Sequence, residues 1–112
     1  MRTVAPARGD IVWLEFNPQA GHEQAGTRPA LVLSPVEYQR RAGLMLCCPI
    51  TNQAKGYPFE VALDTKSDAS GVVLADQVKS VDWQARKARR KGRVSHAVLS
   101  AVSARIKALL PE

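Results

Sequence analysis

The segment PALVLS, residues 29–34, constrains the fold of this chain more than any other stretch. It is apolar at successive positions, led by a proline, followed by Ser34-Pro35, and too short for an ordinary helix. Such a run fits a strand buried on both sides, with Pro29 acceptable because it stands at the strand's first position. Other segments agree with it. DIVWLEF (10–16) alternates in β-rich residues, LMLCCPIT (44–51) is a second apolar run, and FEVAL (59–63) alternates again. PVEYQRRAG (35–43) reads as one or two helical turns closed by Gly43, and DTKSDASG (64–71) is dense in turn-formers. VVLADQVKSV (72–81) gives a strand pair or one long bent strand. Alternation there would set Asp76, Val78 and Ser80 on one face and Gln77 and Lys79 on the other. In SHAVLSAVSARIKALL (95–110), Leu99, Val102, Ile106 and Leu109 recur at helical spacing, with Ser95 as N-cap and Pro111 as stop.

This pattern predicts a mainly β fold, a small, strongly curved sheet or barrel with short helices and a C-terminal helix. One domain covers 1–112, and that length buries a core without disulfides or metal. An apolar fraction of 46% against 23% charged argues for a globular chain rather than a disordered one. Cys47 and Cys48 are neighbours whose side chains point to opposite faces of a strand, so they cannot pair and are expected as reduced thiols. No apolar run reaches the ~20 residues that span a bilayer, and no signal-peptide core precedes Gly9, so a cytoplasmic protein is expected.

The net charge of +6 suggests a polyanionic partner, and its distribution says more than its size. Six of the eight residues from Arg86 to Arg93 are Lys or Arg, a run expected as a basic loop. Trp13, Tyr57, Phe59 and Trp83 offer stacking surface beside such charges, or core. Residues 17–28 form a loop of about a dozen residues, longer than most connections in a compact domain. It ends in Arg28, whose backbone Pro29 restricts to extended geometry. A guanidinium anchored there presents a forked donor pair suited to phosphate, or serves as an ion-pair partner for Glu23 or Asp76. PITNQAKG (49–56) ends an apolar strand in Thr51, Asn52, Gln53 and Lys55, either a polar rim or an ordinary turn. No P-loop, HExxH or Gly-x-Ser-x-Gly elbow is present, and His96 falls at a helix start where capping or exposure explains it.

In order and spacing, RGDIVWLEF, GHEQAGTRPALVLSP, PITNQAKGYPFEVAL and GVVLADQVKSVDW resemble the MazF/PemK family of toxin endoribonucleases, from Arg8 to Leu110. The resemblance implies an SH3-like β-barrel of five to seven strands with short helices and a C-terminal α-helix. It also implies a homodimer, a single-stranded RNA substrate cut without metal or cofactor, and a cognate MazE-like antitoxin segment. Products would carry 2′,3′-cyclic phosphate and 5′-OH ends. The family's arginine before proline falls on Arg28, its strand-end threonine on Thr51 and its loop glutamate on Glu23, the catalytic set so implied. Its Asp-Gln pair falls on Asp76 and Gln77, and with Asn52, Gln53, Lys55, Lys79 and Arg86 these make the expected RNA contacts. His22 stands where members often carry Ser or Thr; it is either an exposed loop histidine or an acid or base near neutral pH. Two alternatives stay open: a non-enzymatic gyrase-poison-like toxin on the same barrel, and a non-catalytic RNA-binding module.

Overall fold

A computed structural model describes residues 4–16 and 26–111; Glu23 and His22 lie outside the described residues. The elements run β1 (Asp10–Glu15), β2 (Thr27–Val32), α1 (Val36–Ala42), β3 (Leu44–Thr51), β4 (Glu60–Ala62), β5 (Val72–Leu74), a 3-10 turn (Ala75–Gln77), β6 (Lys79–Asp82), β7 (Arg89–Arg93) and α2 (His96–Ala108). The strands form one antiparallel sheet in the order β4-β5-β3-β2-β1-β7, and β6 also pairs with β3. The end strands β4 and β7 are not paired with each other among the described residues, so the sheet stays open where a barrel would close.

The sheet is apolar on both faces, as the run in β2 requires. Ile11, Leu31, Leu33, Cys48 and Ile50 pack with Val98 and Val102 of α2 on one side. Val12, Leu14, Phe16, Ala30, Val32, Met45 and Cys47 pack with Val81 and Trp83 on the other. Cys47 and Cys48 therefore fall in different clusters, both buried and both free, and burial pushes both thiols above their ordinary value. Trp83 is core, with its Nε1–H donating to the Gln39 carbonyl at 3.0 Å, and so offers no stacking surface. Gln39 itself is fully buried: its side chain donates to the Ser34 and Pro6 carbonyls at 2.8 and 3.1 Å and accepts from Ser34 Oγ at 2.8 Å.

Four expectations shift. Strand β2 begins at Thr27 rather than Pro29, so Arg28 is already a strand residue, opposite Leu14. Pro29 is tolerated inside the strand because, among the described residues, β2 pairs there only with β1, the ladder to β3 starting at Ala30. The 72–81 segment is the strand pair of the two readings, β5 and β6, but the 3-10 turn Ala75–Gln77 lies between them, so strand alternation does not govern Asp76 and Gln77. The basic run is not all loop, since residues 89–93 form β7 against β1. The buried Asp10 carboxylate faces Arg90 at 3.5 Å and Arg93 at 4.0 Å, and Asp68 Oδ2 accepts the Arg93 N–H at 2.9 Å. These carboxylates offset the repulsion that the sequence pattern implied. In α2 the buried positions are Val98 and Val102, with Leu99 and Ile106 partly covered and Leu109 exposed. Ser95 caps the helix as expected, accepting the Val98 N–H at 3.2 Å.

Candidate active site

Two clefts open at the end of β3. The β2–β3 register pairs Ala30 with Pro49, so Arg28, two residues before, and Thr51, two residues after, stand at the same end of the sheet. The larger cleft, about 590 Å³, is lined by Trp13, Arg28, Asn52, Ser70 and Lys91 among others. Lys91 Nζ lies 5.6 Å from the Trp13 ring centre and donates to the Asp68 carbonyl at 3.2 Å. Ser70 Oγ donates to Asn52 Oδ1 at 3.1 Å, which leaves the amide nitrogen as the donor end of Asn52. A guanidinium, an ammonium, an amide and an aromatic ring thus share one opening. That combination suits a phosphate with a ring stacked beside it.

The smaller cleft, about 310 Å³, is lined by Thr51, Gln53, Lys55, Tyr57, Glu60, Leu74 and Gln77. Thr51 is buried, and its Oγ1 accepts the Gln53 N–H at 3.1 Å, which leaves its own O–H able to donate. The Tyr57 hydroxyl donates to Asp76 Oδ2. That bond, ahead of desolvation and the Asp76 and Glu60 charges, holds the phenol above its ordinary value, so Tyr57 remains a donor at neutral pH. Asp76 Oδ1 is buried and has no hydrogen-bond partner among the described residues. A buried acceptor without a donor is costly. Phe59 packs edge-on against Tyr57, ring centres 6.4 Å apart.

The structure divides the residues expected from sequence. Arg28 and Asn52 line the larger cleft, while Thr51, Gln53, Lys55 and Gln77 line the smaller one, with Asp76 hydrogen-bonded to its Tyr57. Lys79 and Arg86 line neither. Lys79 Nζ sits 5.4 Å from the Phe16 ring centre, and Arg86 Nη1 donates to the Glu15 carbonyl at 3.3 Å, both at the C-terminal end of β1. Sequence reasoning did not single out Ser70, Lys91 or Glu60. Lys91 was visible only as one charge among many, and Ser70 sits in a stretch that reads as turns. Among the described residues no group of three His, Cys, Asp or Glu gathers to hold a metal ion, and no helix is long and apolar enough to cross a membrane.

Comparison with known proteins adds to this geometry. The family model described as PemK-like, MazF-like toxin of type II toxin-antitoxin system matches residues 7–110. The endoribonuclease toxin MazF of Escherichia coli K12 is 50% identical over 105 residues, covering 94% of each chain. A crystal structure of MazF from Deinococcus radiodurans superimposes with a TM-score of 0.92 at 51% identity, covering 96% of this chain and 98% of that one. A MazE-MazF structure from the same organism matches at a TM-score of 0.86 and 51% identity, covering 96% and 97%.

Proposed function

This chain belongs to the PemK-like, MazF-like toxin family of type II toxin–antitoxin systems, and from that premise we propose that it is a metal-independent, sequence-specific endoribonuclease acting on single-stranded RNA. The observation that carries the reading is the larger cleft, where Arg28, Lys91 and the Asn52 amide surround space beside Trp13. In-line attack by a ribose 2′-oxygen on its own phosphorus needs no protein nucleophile. The 2′-O–P bond forms, the P–O5′ bond breaks, the 2′-OH loses a proton and the departing 5′-oxygen gains one. The products are a 2′,3′-cyclic phosphate and a 5′-hydroxyl. What the protein supplies is alignment and donors for the extra charge of the phosphorane. Arg28 offers two donors in a fixed fork. Thr51 adds a hydroxyl from the adjoining cleft, and Glu23, outside the described residues, completes the proposed catalytic set. Asp76 and Gln77 meet the polar groups of a bound nucleotide, with Asn52, Gln53 and Lys55 along the strand's path. Lys79 and Arg86 extend the basic track past the end of β1.

The fold reads as an SH3-like barrel left open between β4 and β7. The chain works in the cytoplasm as a homodimer, inhibited by an acidic antitoxin segment. Exposed Tyr38 on α1 with Leu44 and Leu46 on the adjoining β3 supports a partner surface, and the exposed basic side chains of β7 suit an acidic segment.

The test is direct. Purified protein is incubated with a long RNA in EDTA and the new 5′ ends are sequenced. Discrete cuts are expected, and Arg28→Ala lowers the rate on the order of 10²–10³-fold. Retarded but uncut RNA, or intact RNA with inhibited supercoiling, overturns the nuclease reading.

A further inference from the structure

Glu60 opens β4 and turns its side chain back onto the preceding loop. Its Oε2 accepts the Lys55 N–H at 2.8 Å, and its Oε1 accepts those of Gly56 at 2.8 Å and Tyr57 at 3.3 Å. One carboxylate thus gathers three consecutive backbone donors, around a glycine with φ of 76°. Successive N–H groups converging about a left-handed residue form a concave anion site, and here the chain's own carboxylate fills it. These bonds, that to Lys55 first, hold the Glu60 carboxyl below its ordinary value. The loop is clamped at two further points. Arg105 Nε of α2 donates to the Pro58 carbonyl at 2.9 Å, and the Tyr57 hydroxyl reaches Asp76. Lys55 and Tyr57, the residues so held, line the smaller cleft with Thr51, Gln53 and Gln77.

We propose that Glu60 is a positioning residue for RNA: its carboxylate fixes loop 55–57 in the shape that presents Lys55 and Tyr57 to a bound strand. The inference rests on the endoribonuclease reading above and names a part of its binding surface. Without the carboxylate the three N–H groups turn to water, and the loop must be ordered at the moment of binding. That cost falls on association. Arg28 stands in the neighbouring cleft and keeps its geometry, so the bond-breaking step is spared.

The full chain and its Glu60→Gln and Gly56→Ala variants are compared on an oligoribonucleotide spanning a cut mapped in the parent. Glu60→Gln removes the charge that gathers the donors. Gly56→Ala leaves that charge in place and disturbs the same loop through its left-handed backbone alone, since an added Cβ meets nothing within 4 Å. Both variants are expected to raise KM roughly tenfold at unchanged kcat. Amide hydrogen exchange of residues 55–57 accelerates in both. In the parent the three amide resonances titrate together with a midpoint below the ordinary glutamate value, and in Glu60→Gln that titration disappears. An active parent whose variants keep its KM overturns the assignment of Glu60 alone, as does a fall in kcat at constant KM. A parent that neither binds nor cuts RNA overturns the nuclease reading, and this inference falls with it.

Discussion

Replacing Gly71 with alanine tests the site where it is tightest. Gly71 has φ of 105°, and a Cβ built on it would lie 2.3 Å from the Thr51 carbonyl oxygen and 2.9 Å from Asn52 Oδ1. The first of these is backbone, which cannot rotate away as a side chain tip would. It also belongs to the strand end that separates the two clefts. The left-handed φ costs a side chain about 1–2 kcal/mol, and forcing atoms into a filled space adds about 1–3 kcal/mol. The sum, roughly 2–5 kcal/mol, lowers Tm by roughly 8–20 °C in a domain of this size. Gly43, which follows α1 with φ of 71° and nothing within 4 Å of an added Cβ, supplies the control. Gly43→Ala carries only the conformational part, about 1–2 kcal/mol. Thermal unfolding by circular dichroism separates the two. Cleavage is then measured well below both midpoints, where displacement of Thr51 and Asn52 in Gly71→Ala slows the reaction on the order of 10²-fold. If Gly71→Ala loses no more stability than Gly43→Ala and cuts at the parent rate, the close approach does not shape the clefts.

Two other perturbations probe the frame. Gln39→Leu leaves the Ser34 and Pro6 carbonyls and the Ser34 hydroxyl without their buried partner, and urea unfolding should record a loss of about 2–4 kcal/mol, with cleavage unchanged while the protein stays folded. The Asp64 carboxyl is held below its ordinary value of 3.8, first by the Ser95 hydroxyl at 2.7 Å and then by Ser67. A depressed folded-state pKa contributes stability that is present above 3.8 and lost as pH falls through the folded value. Unfolding midpoints taken from pH 7 down to pH 2 should therefore show an acid decline that Asp64→Asn flattens; an identical slope in the variant would contradict that role.

What the sequence revealed, and what it hid, divides along physical lines. LMLCCPIT proved to be β3 residue for residue: from Cys47 onward it is buried on both faces, and Leu44 and Leu46, though exposed, keep the apolar run unbroken. Ser95 was legible because N-capping is a local hydrogen bond. Strand β7 was not, since RRKGR has neither apolar alternation nor β-forming side chains. It is a strand because Asp10 and Asp68, distant in sequence, accept its charges and its backbone. The turn at Asp76 and Gln77 was hidden for a similar reason, as its signal is contact rather than period. Arg28 was singled out from Pro29 and the buried run that follows it, whereas its cleft neighbours Ser70 and Lys91 arrive from segments that meet only in three dimensions. Glu60 left no trace in the pattern, because a carboxylate that binds backbone N–H groups does so whatever side chains those residues carry.

The outermost strand has one more consequence. Among the described residues strand β7 pairs only with β1, and its outer side is met at Arg93 by Asp68, whose N–H donates to the Arg93 carbonyl at 2.8 Å. Along the remainder, arginine and lysine make lateral addition of an identical strand self-repelling, a common guard against fibril-like stacking. The guard is purely coulombic and so depends on solvent. As added salt shortens the Debye length toward ~3 Å at 1 M, that repulsion fades, and concentrated protein loses its defence against sticking edge to edge.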